Sequence, residues 1–282
     1  KGSILKVAMH HSDIAFGGQG RIWGRVNRFY VRRFHRYIAT SRQIFDEFVE
    51  EGMARERVVR LPNGVDMERF RPAESEAEKD QLKERLGLPR VPVALFTGIV
   101  LARKNVDYVL RVFLKIREKG LEGHLVIAGP SEGGGGKPGG PYFDRLQEMI
   151  RTAGMEKDVT FTCRIGNVEE YIRASDMFLF APHKEGMPNV LLEAMSGGLP
   201  CVVSRISGIE DVIESGVNGF IFDLANESGY EDAVTSLFRN PELRAEISDK
   251  ARKRIQARFS LERVADEYCR IYRELRHNAR SV

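Results

Sequence analysis

The fold is decided by one stretch, Ala181-Pro182-His183-Lys184-Glu185-Gly186-Met187-Pro188-Asn189-Val190-Leu191-Leu192-Glu193-Ala194-Met195. It follows the apolar run 177–180, a candidate strand, and passes into residues 190–195, where apolar side chains recur at helical spacing. Pro188 suits the first helical position, where a missing N–H costs nothing, and Gly186 lets the backbone turn tightly. The amides around Met187, Asn189 and Val190 then point from a helix N-terminus toward the carboxyl edge of a sheet. Open α/β sheets bind ligands at that edge, and a helix N-terminus favours anionic groups. Glu185 lies in the loop, and Glu193 about two turns further along from it. Two carboxylates framing such a junction can accept hydrogen bonds from the hydroxyls of a sugar or ribose. The plainer alternative is a pair of solvated helix-end charges.

Outward from this segment, short β-branched and apolar runs alternate with helical patterns. Strands are expected at residues 4–9, 37–40, 58–61, 93–97, 125–128, 159–162, 177–180, 201–204 and 220–222, with helices such as 106–119 and 142–153 between them. That alternation means parallel sheets covered by helices on both faces, joined by right-handed crossovers. Pro62-Asn63-Gly64, then Arg71-Pro72 and the charged run 74–83, read as a domain junction. The division expected is a first domain over 1–72, a second over 73–258 and a C-terminal helix over 259–282 that packs back toward the first. About six strands beyond the junction make a complete doubly wound unit, whereas three before it leave an unpaired edge. Residues ahead of Lys1 are therefore expected to complete the first sheet. In the stretch 241–276, Ser260 is the expected N-cap between two helices, the second with an apolar stripe of Tyr268, Ile271, Tyr272 and Leu275.

Composition sets the bounds. The length of 282 residues suggests about two domains. An apolar fraction of 42% with 9% aromatics excludes disorder as the dominant state. No run approaches the ~18 apolar residues of a membrane-spanning helix. The three cysteines, Cys163, Cys201 and Cys269, are too far apart for a CxxC metal pair and form no disulfide framework, which fits a reducing compartment.

The segment quoted first resembles the E-x7-E segment of retaining glycosyltransferases of family 4, which have the type-B fold (GT-B) of two facing Rossmann-like domains. Further matches stand in order. Leu61-Pro62-Asn63-Gly64-Val65-Asp66, with Phe70 and Pro72, resembles the "PNGVD" start of the second domain, and Gly98 followed by Lys104-Asn105 resembles the donor-phosphate loop. Ser207-Gly208-Ile209-Glu210-Asp211 and the turn Gly216-Val217-Asn218-Gly219-Phe220 resemble the segments around the last two strands. The resemblance spans essentially the whole chain. It implies an α/β chain of GT-B type whose first Rossmann-like domain is incomplete. It also implies that Glu193 holds the ribose hydroxyls, that Glu185 touches the donor sugar and that Lys104 neutralises the diphosphate. Gly98, Arg103, Arg164, Ile165, Gly186, Met187, Pro188, Asn189 and Val190 join the donor set. Ala8-Met9-His10-His11-Ser12 resembles the segment where a histidine reaches the donor sugar from the first domain. The order of residues favours His10, with surface placement as the alternative.

One departure stands out. The family places Arg directly after the glycine of the phosphate loop, and this chain has Ile99, which cannot donate to an oxyanion. Arg103 is the candidate to supply the guanidinium; the alternative is a weakened donor site. The stretch 21–42 carries Arg21, Arg25, Arg28, Arg32, Arg33, Arg36 and Arg42 without an acid, interleaved with apolar residues. It reads either as a basic amphipathic helix on an anionic membrane, at the inner face, or as a first-domain helix with one solvated face. No nucleic-acid motif accompanies it. In the glycine-rich run 133–140, Pro138 follows Lys137 where a phosphate-binding P-loop needs Ser or Thr, so a loop is expected there.

The function expected is transfer of a sugar from a nucleotide-diphospho-sugar to an acceptor hydroxyl, with retention and without a metal. Its setting is the cytoplasm. The nucleotide-sugar is a substrate, and no cofactor is expected. In the front-face mechanism that the resemblance implies, the leaving phosphate itself helps take the acceptor proton. The alternatives are an epimerase of the same fold and a nucleotide-sugar-binding module that has lost catalysis; an isolated piece of this length could bind donor without turning over.

Overall fold

Nine short strands in the computed structural model, which describes residues 7–10, 34–131 and 139–278, form two parallel sheets. Of residues 7–10 only the backbone is described. The first sheet has β1 (Val7–His10), β2 (Arg36–Ala39) and β3 (Val58–Arg60) in that spatial order. The second contains β4 (Val93–Thr97), β5 (His124–Ala128), β6 (Val159–Phe161), β7 (Met177–Phe180), β8 (Cys201–Ser204) and β9 (Phe220–Phe222). Its order is β6-β5-β4-β7-β8-β9, the doubly wound Rossmann-like arrangement. Every residue of β4, β5, β7 and β8 is buried, as parallel strands covered on both faces require. The chain leaves β4 toward one edge and returns at β7 toward the other, so a crevice opens at their carboxyl ends.

Among the described residues ten helices cover these sheets: α1 (Arg42–Glu50), α2 (Glu76–Arg85), α3 (Val106–Glu118), α4 (Pro141–Ala153), α5 (Val168–Ala174), α6 (Asn189–Ser196), α7 (Ile209–Val212), α8 (Glu227–Arg239), α9 (Pro241–Arg258) and α10 (Leu261–Asn278). Short polar side chains start several of them. Ser41 and Asn240 accept from the amides of Ile44 and Leu243, and Ser260 Oγ accepts from Arg263 N at 3.3 Å, the N-cap that the sequence indicates. The charged run read as a junction is in fact helix α2. Ser75 accepts from Glu78 N, and the Glu78 carboxylate accepts from Glu74 N at 2.6 Å, a reciprocal cap that starts a helix with little apolar periodicity to announce it.

The two faces of the first sheet are covered from opposite ends of the chain. Tyr37, Ala39 and Val58 pack against Ile44 and Phe48 of α1 and against Met53. On the other face Ile38 packs with Leu61 and with Val264, Ile271 and Leu275 of α10. Tyr272, part of the expected stripe, is 48% exposed, because the stripe is wider than the sheet beneath it. The cationic stretch 21–42 is not one helix. Its described end passes through β2 and begins α1 after Ser41, while residues 21–33 lie outside the described residues, as do His11 and 132–138 of the glycine-rich run.

The chain passes between the sheets twice, at residues 61–72 and around Ser260, and the two passages are bonded to each other. Val65 N donates to Phe259 O and Leu261 N to Val65 O, both at 2.9 Å. A Cβ on Gly64 would lie 3.0 Å from Leu261 Cα, so this position needs glycine for the close approach.

Beyond the sheet, the loops after β4 and β5 run together, with Val100 N donating to Pro130 O at 2.8 Å. At Gly129, with φ 148°, a Cβ would come within 2.0 Å of Gly98 O. Gly98 has φ 140°, but a Cβ there would meet only the Phe96 ring at 3.7 Å. Gly129→Ala is therefore expected to destabilise by about 2–3 kcal/mol in chemical denaturation, through overpacking against backbone. Gly98→Ala should cost less, and equal costs would show that the loop contact is not tight.

Candidate functional site

At the β4–β7 crevice two loops are stitched together by backbone and amide groups. Asn105 takes the left-handed conformation (φ 53°) at the end of the short turn Ala102–Lys104, and its Nδ2 donates to Ala181 O at 2.9 Å. Asparagine tolerates that conformation better than most residues. His183 N donates to Arg103 O at 3.1 Å. These two ties set Lys104 beneath the loop that follows β7. Its side chain is almost fully buried, with Nζ 5.5 Å from the centre of the Phe180 ring and 2.7 Å from Glu185 Oε1. Arg103 Nη1 reaches the same oxygen at 2.6 Å from a much more exposed position. Two cations thus converge on one carboxylate at the mouth of the crevice, a local excess of positive charge. Ile99 is 44% exposed and offers the site no polar atom.

The loop continues through buried Gly186, Met187 and Pro188 into α6. Pro188 is the N-cap and Asn189 the first helical residue, one position later than the sequence suggests, because Pro188 keeps an extended ψ of 119°. No side chain caps this end, and among the described residues no hydrogen bond reaches the amides of Asn189 or Val190. They remain available to an anion.

Glu193 lies about one turn into α6, half-buried. Burial pushes its carboxyl above the usual range; Arg69 opposes the shift and Glu169 adds to it. Arg69 pairs with Glu169 at 3.0 Å. Among the described residues, no hydrogen bond or ion pair joins Glu193 to Lys104 or Glu185. The residues singled out from the sequence therefore separate into a cationic group of Arg103, Lys104 and Glu185 and, farther along the helix, Glu193. Arg164 is exposed and Ile165 packs partly on the core, in the loop after β6, where Cys163 holds a φ of 58°. His10 ends β1, paired in register with Ala39, and its side chain lies outside the described residues.

Two groups that the sequence names only within family-like segments, without these contacts, join distant parts of the chain. Asp211 Oδ2 accepts from Arg42 N at 2.9 Å at the start of α1, with Arg60 at 3.6 Å, and so fastens the second sheet's loop to the first sheet. Ser41 and Ser207 hydroxyls lie 3.4 Å apart there, and a Cβ on Gly208 would stand 2.7 Å from Ser41 Cβ. A cavity of about 720 Å³ opens beside this contact, lined by Arg42, Asp46, Glu50, Arg205 and Glu210 among others. The second group, Asn63, donates from Nδ2 to Asn189 Oδ1 at 2.8 Å and to Met187 O at 3.3 Å. Its sequence signals are a turn-forming Pro-Asn-Gly and the PNGVD-like resemblance, and neither points to these partners.

No helix among the described residues is long and apolar enough to cross a membrane. Comparison with known proteins matches residues 78–254 to the family described as "Glycosyl transferases group 1" and residues 2–69 to "Glycosyltransferase Family 4". Among curated relatives, alpha-D-kanosaminyltransferase of Streptomyces kanamyceticus is 29% identical over 78% of this chain and 55% of its own length. N-acetyl-alpha-D-glucosaminyl L-malate synthase of Bacillus anthracis is 25% identical over 96% of this chain and 68% of its own length. The D-inositol 3-phosphate glycosyltransferase of Saccharomonospora viridis is 32% identical over 75% and 48%. The chain thus spans about half to two thirds of the length of these relatives. Among solved structures, Anabaena HepE in complex with UDP superposes with a TM-score of 0.84 at 19% identity, over 95% of this chain and 72% of HepE. Sucrose-phosphate synthase of Thermosynechococcus elongatus gives 0.80 at 19% identity, over 96% and 68%. The fold is GT-B. With more than half of its residues matched to that family, this chain belongs to the group 1 glycosyl transferases.

Proposed function

We propose that this chain binds a nucleotide-diphospho-sugar at the β4–β7 crevice and transfers the sugar, with retained configuration, to an acceptor hydroxyl. The observation that carries the reading is the convergence of Lys104 and Arg103 beside the uncapped start of α6. Negative charge grows on the departing diphosphate as the glycosidic bond breaks. A buried ammonium and preorganised amides stabilise that charge more in the transition state than in the ground state, which lowers the barrier without a metal. In this reading the diphosphate displaces Glu185 from its two cations, and the released carboxylate turns to a hydroxyl of the sugar. Glu193 accepts from the ribose hydroxyls, and His10 approaches the sugar from the first sheet. The acceptor enters between the two sheets, and the leaving phosphate takes its proton. That HepE has been solved with UDP and with UDP-glucose makes UDP the first probe.

Titration of the chain with UDP, GDP and ADP by calorimetry tests this reading, and binding of none of the three would overturn it. Glu193→Gln separates function from stability. A carboxyl whose folded pKa is raised favours the folded state only at low pH, and that contribution is lost as pH rises through the folded value. At neutral pH the ionised Glu193 therefore costs stability, and Glu193→Gln should raise Tm, with the gain shrinking toward pH 4. The same change should weaken nucleotide binding by about 1–3 kcal/mol through loss of a charged acceptor. Unchanged affinity would remove Glu193 from the ribose.

A further inference from the structure

The connection between the sheets lies along α6 and is tied to both of its ends. Asn63 holds the start of the helix through Met187 O and Asn189 Oδ1, and Ser196 Oγ at the last turn donates to Phe70 O at 2.7 Å. Between these ties Asp66 Oδ1 accepts from the amides of Glu68 and Arg69, shaping a turn that sets the Arg69 guanidinium 5.1 Å from the Phe70 ring centre and against Glu169. Asn189, Glu193 and Ser196 are four and three residues apart, so they share the helix face turned to the connection. The same connection is hydrogen-bonded, through Val65, to the chain's second passage between the sheets. Any rotation of one sheet against the other must pass through it.

The start of α6 has no cap of its own: Pro188 lacks an N–H and brings no side-chain acceptor. Asn63 supplies the missing restraint from outside the helix. Its amide fixes the Met187 carbonyl and the Asn189 side chain on either side of Pro188, and with them the direction of the Asn189 and Val190 amides. We infer that Asn63 is a positioning residue of the donor site: it aims the amides of α6 at the diphosphate and makes that aim depend on the connection between the sheets. This inference rests on the reading that a nucleotide diphosphate binds at the start of α6.

Calorimetry with UDP and with UMP on the chain and on Asn63→Ala and Asn63→Asp tests it. Asp is nearly isosteric but cannot donate to Met187 O. In both variants UDP affinity should fall by roughly tenfold, the worth of one or two aimed hydrogen bonds, while UMP affinity stays within about twofold. Equal losses for the two nucleotides would mark a general loosening and overturn the inference, as would unchanged UDP affinity. Failure of the unaltered chain to bind UDP, GDP or ADP would instead remove the donor reading and this inference with it. Should Asn63→Ala and Asn63→Asp lose their thermal transition, Asn189→Ala, an exposed change on the same hydrogen bond, should still lower the UDP-to-UMP affinity ratio; an unchanged ratio would overturn the inference.

Discussion

Lys104→Met is expected to weaken UDP binding by about thirtyfold or more and to slow sugar release from a bound UDP-sugar by about 10²–10³-fold. Methionine keeps the unbranched stem that fills the space under the loop and against Phe180, so the change removes charge with little loss of packing. The ammonium it removes is almost fully buried and 2.7 Å from Glu185, in surroundings that screen charge poorly. Arg103 stays on Glu185 in this variant, but its side chain is 56% exposed. Exposed charge pairs contribute less, so Arg103→Ala should reduce UDP affinity by only a few-fold. The order of the two effects matters more than their size. If Arg103→Ala proved the more damaging, the main phosphate cation would be Arg103, and Lys104 would serve to hold Glu185. Calorimetry on both variants decides between them.

Asp176→Ala is expected to cost about 3–5 kcal/mol of folding stability while leaving nucleotide affinity unchanged at temperatures where the variant is folded. Asp176 sits just before β7, at the end of the sheet opposite the crevice. It accepts from Lys79 Nζ at 2.8 Å, Lys83 Nζ at 3.1 Å and Val93 N at 2.8 Å. Burial alone would raise its carboxyl, but the two ammonium groups and the Val93 amide hold it below the usual carboxylate range. A lowered carboxyl pKa stabilises the fold above the unfolded value, and the contribution is lost as pH falls through the folded one. Acid unfolding of the chain should therefore steepen below about pH 4, and Asp176→Asn should flatten it. Alanine leaves Lys83 buried with only Val91 O as partner. Lys83→Met in the alanine background should accordingly recover part of the loss. A cost below about 1 kcal/mol in urea would show that water reaches the pair.

Strand positions were legible because buried parallel strands are continuous apolar runs: each of the nine runs named from the sequence overlaps one of the nine described strands, and six contain theirs whole, the misses being a single residue at one end of β1, β2 and β5. Helix α2 was hidden by its own composition. It is charged on nearly every side, and its evidence is the Ser75–Glu78 cap rather than a repeating apolar face. Spacing alone could not bring Lys104 to Glu185; the family resemblance assigns both to one donor site, but to different parts of the donor, and does not foresee their ion pair. Asn63 and Asp211 stand in segments that the sequence singles out, but their contacts were not legible for a physical reason. Each bonds a group more than a hundred residues away, across the boundary between sheets, and no local pattern encodes such a contact. Tyr272 shows the converse error: helical spacing identifies a stripe but not how wide a surface waits to receive it.

The last helix has a consequence for synthesis in the cell. Ile38 and Leu61 emerge from the ribosome long before Ile271 and Leu275, which cover them. At ~5–20 residues per second the uncovered face of the first sheet waits roughly ten to fifty seconds for its lid. The second sheet can assemble during that interval, because its helices lie between its own strands in sequence. Nascent chains stalled before residue 261 should therefore be sticky on one face only, and holdase chaperones should crosslink around β2 and β3 until translation of α10 is complete.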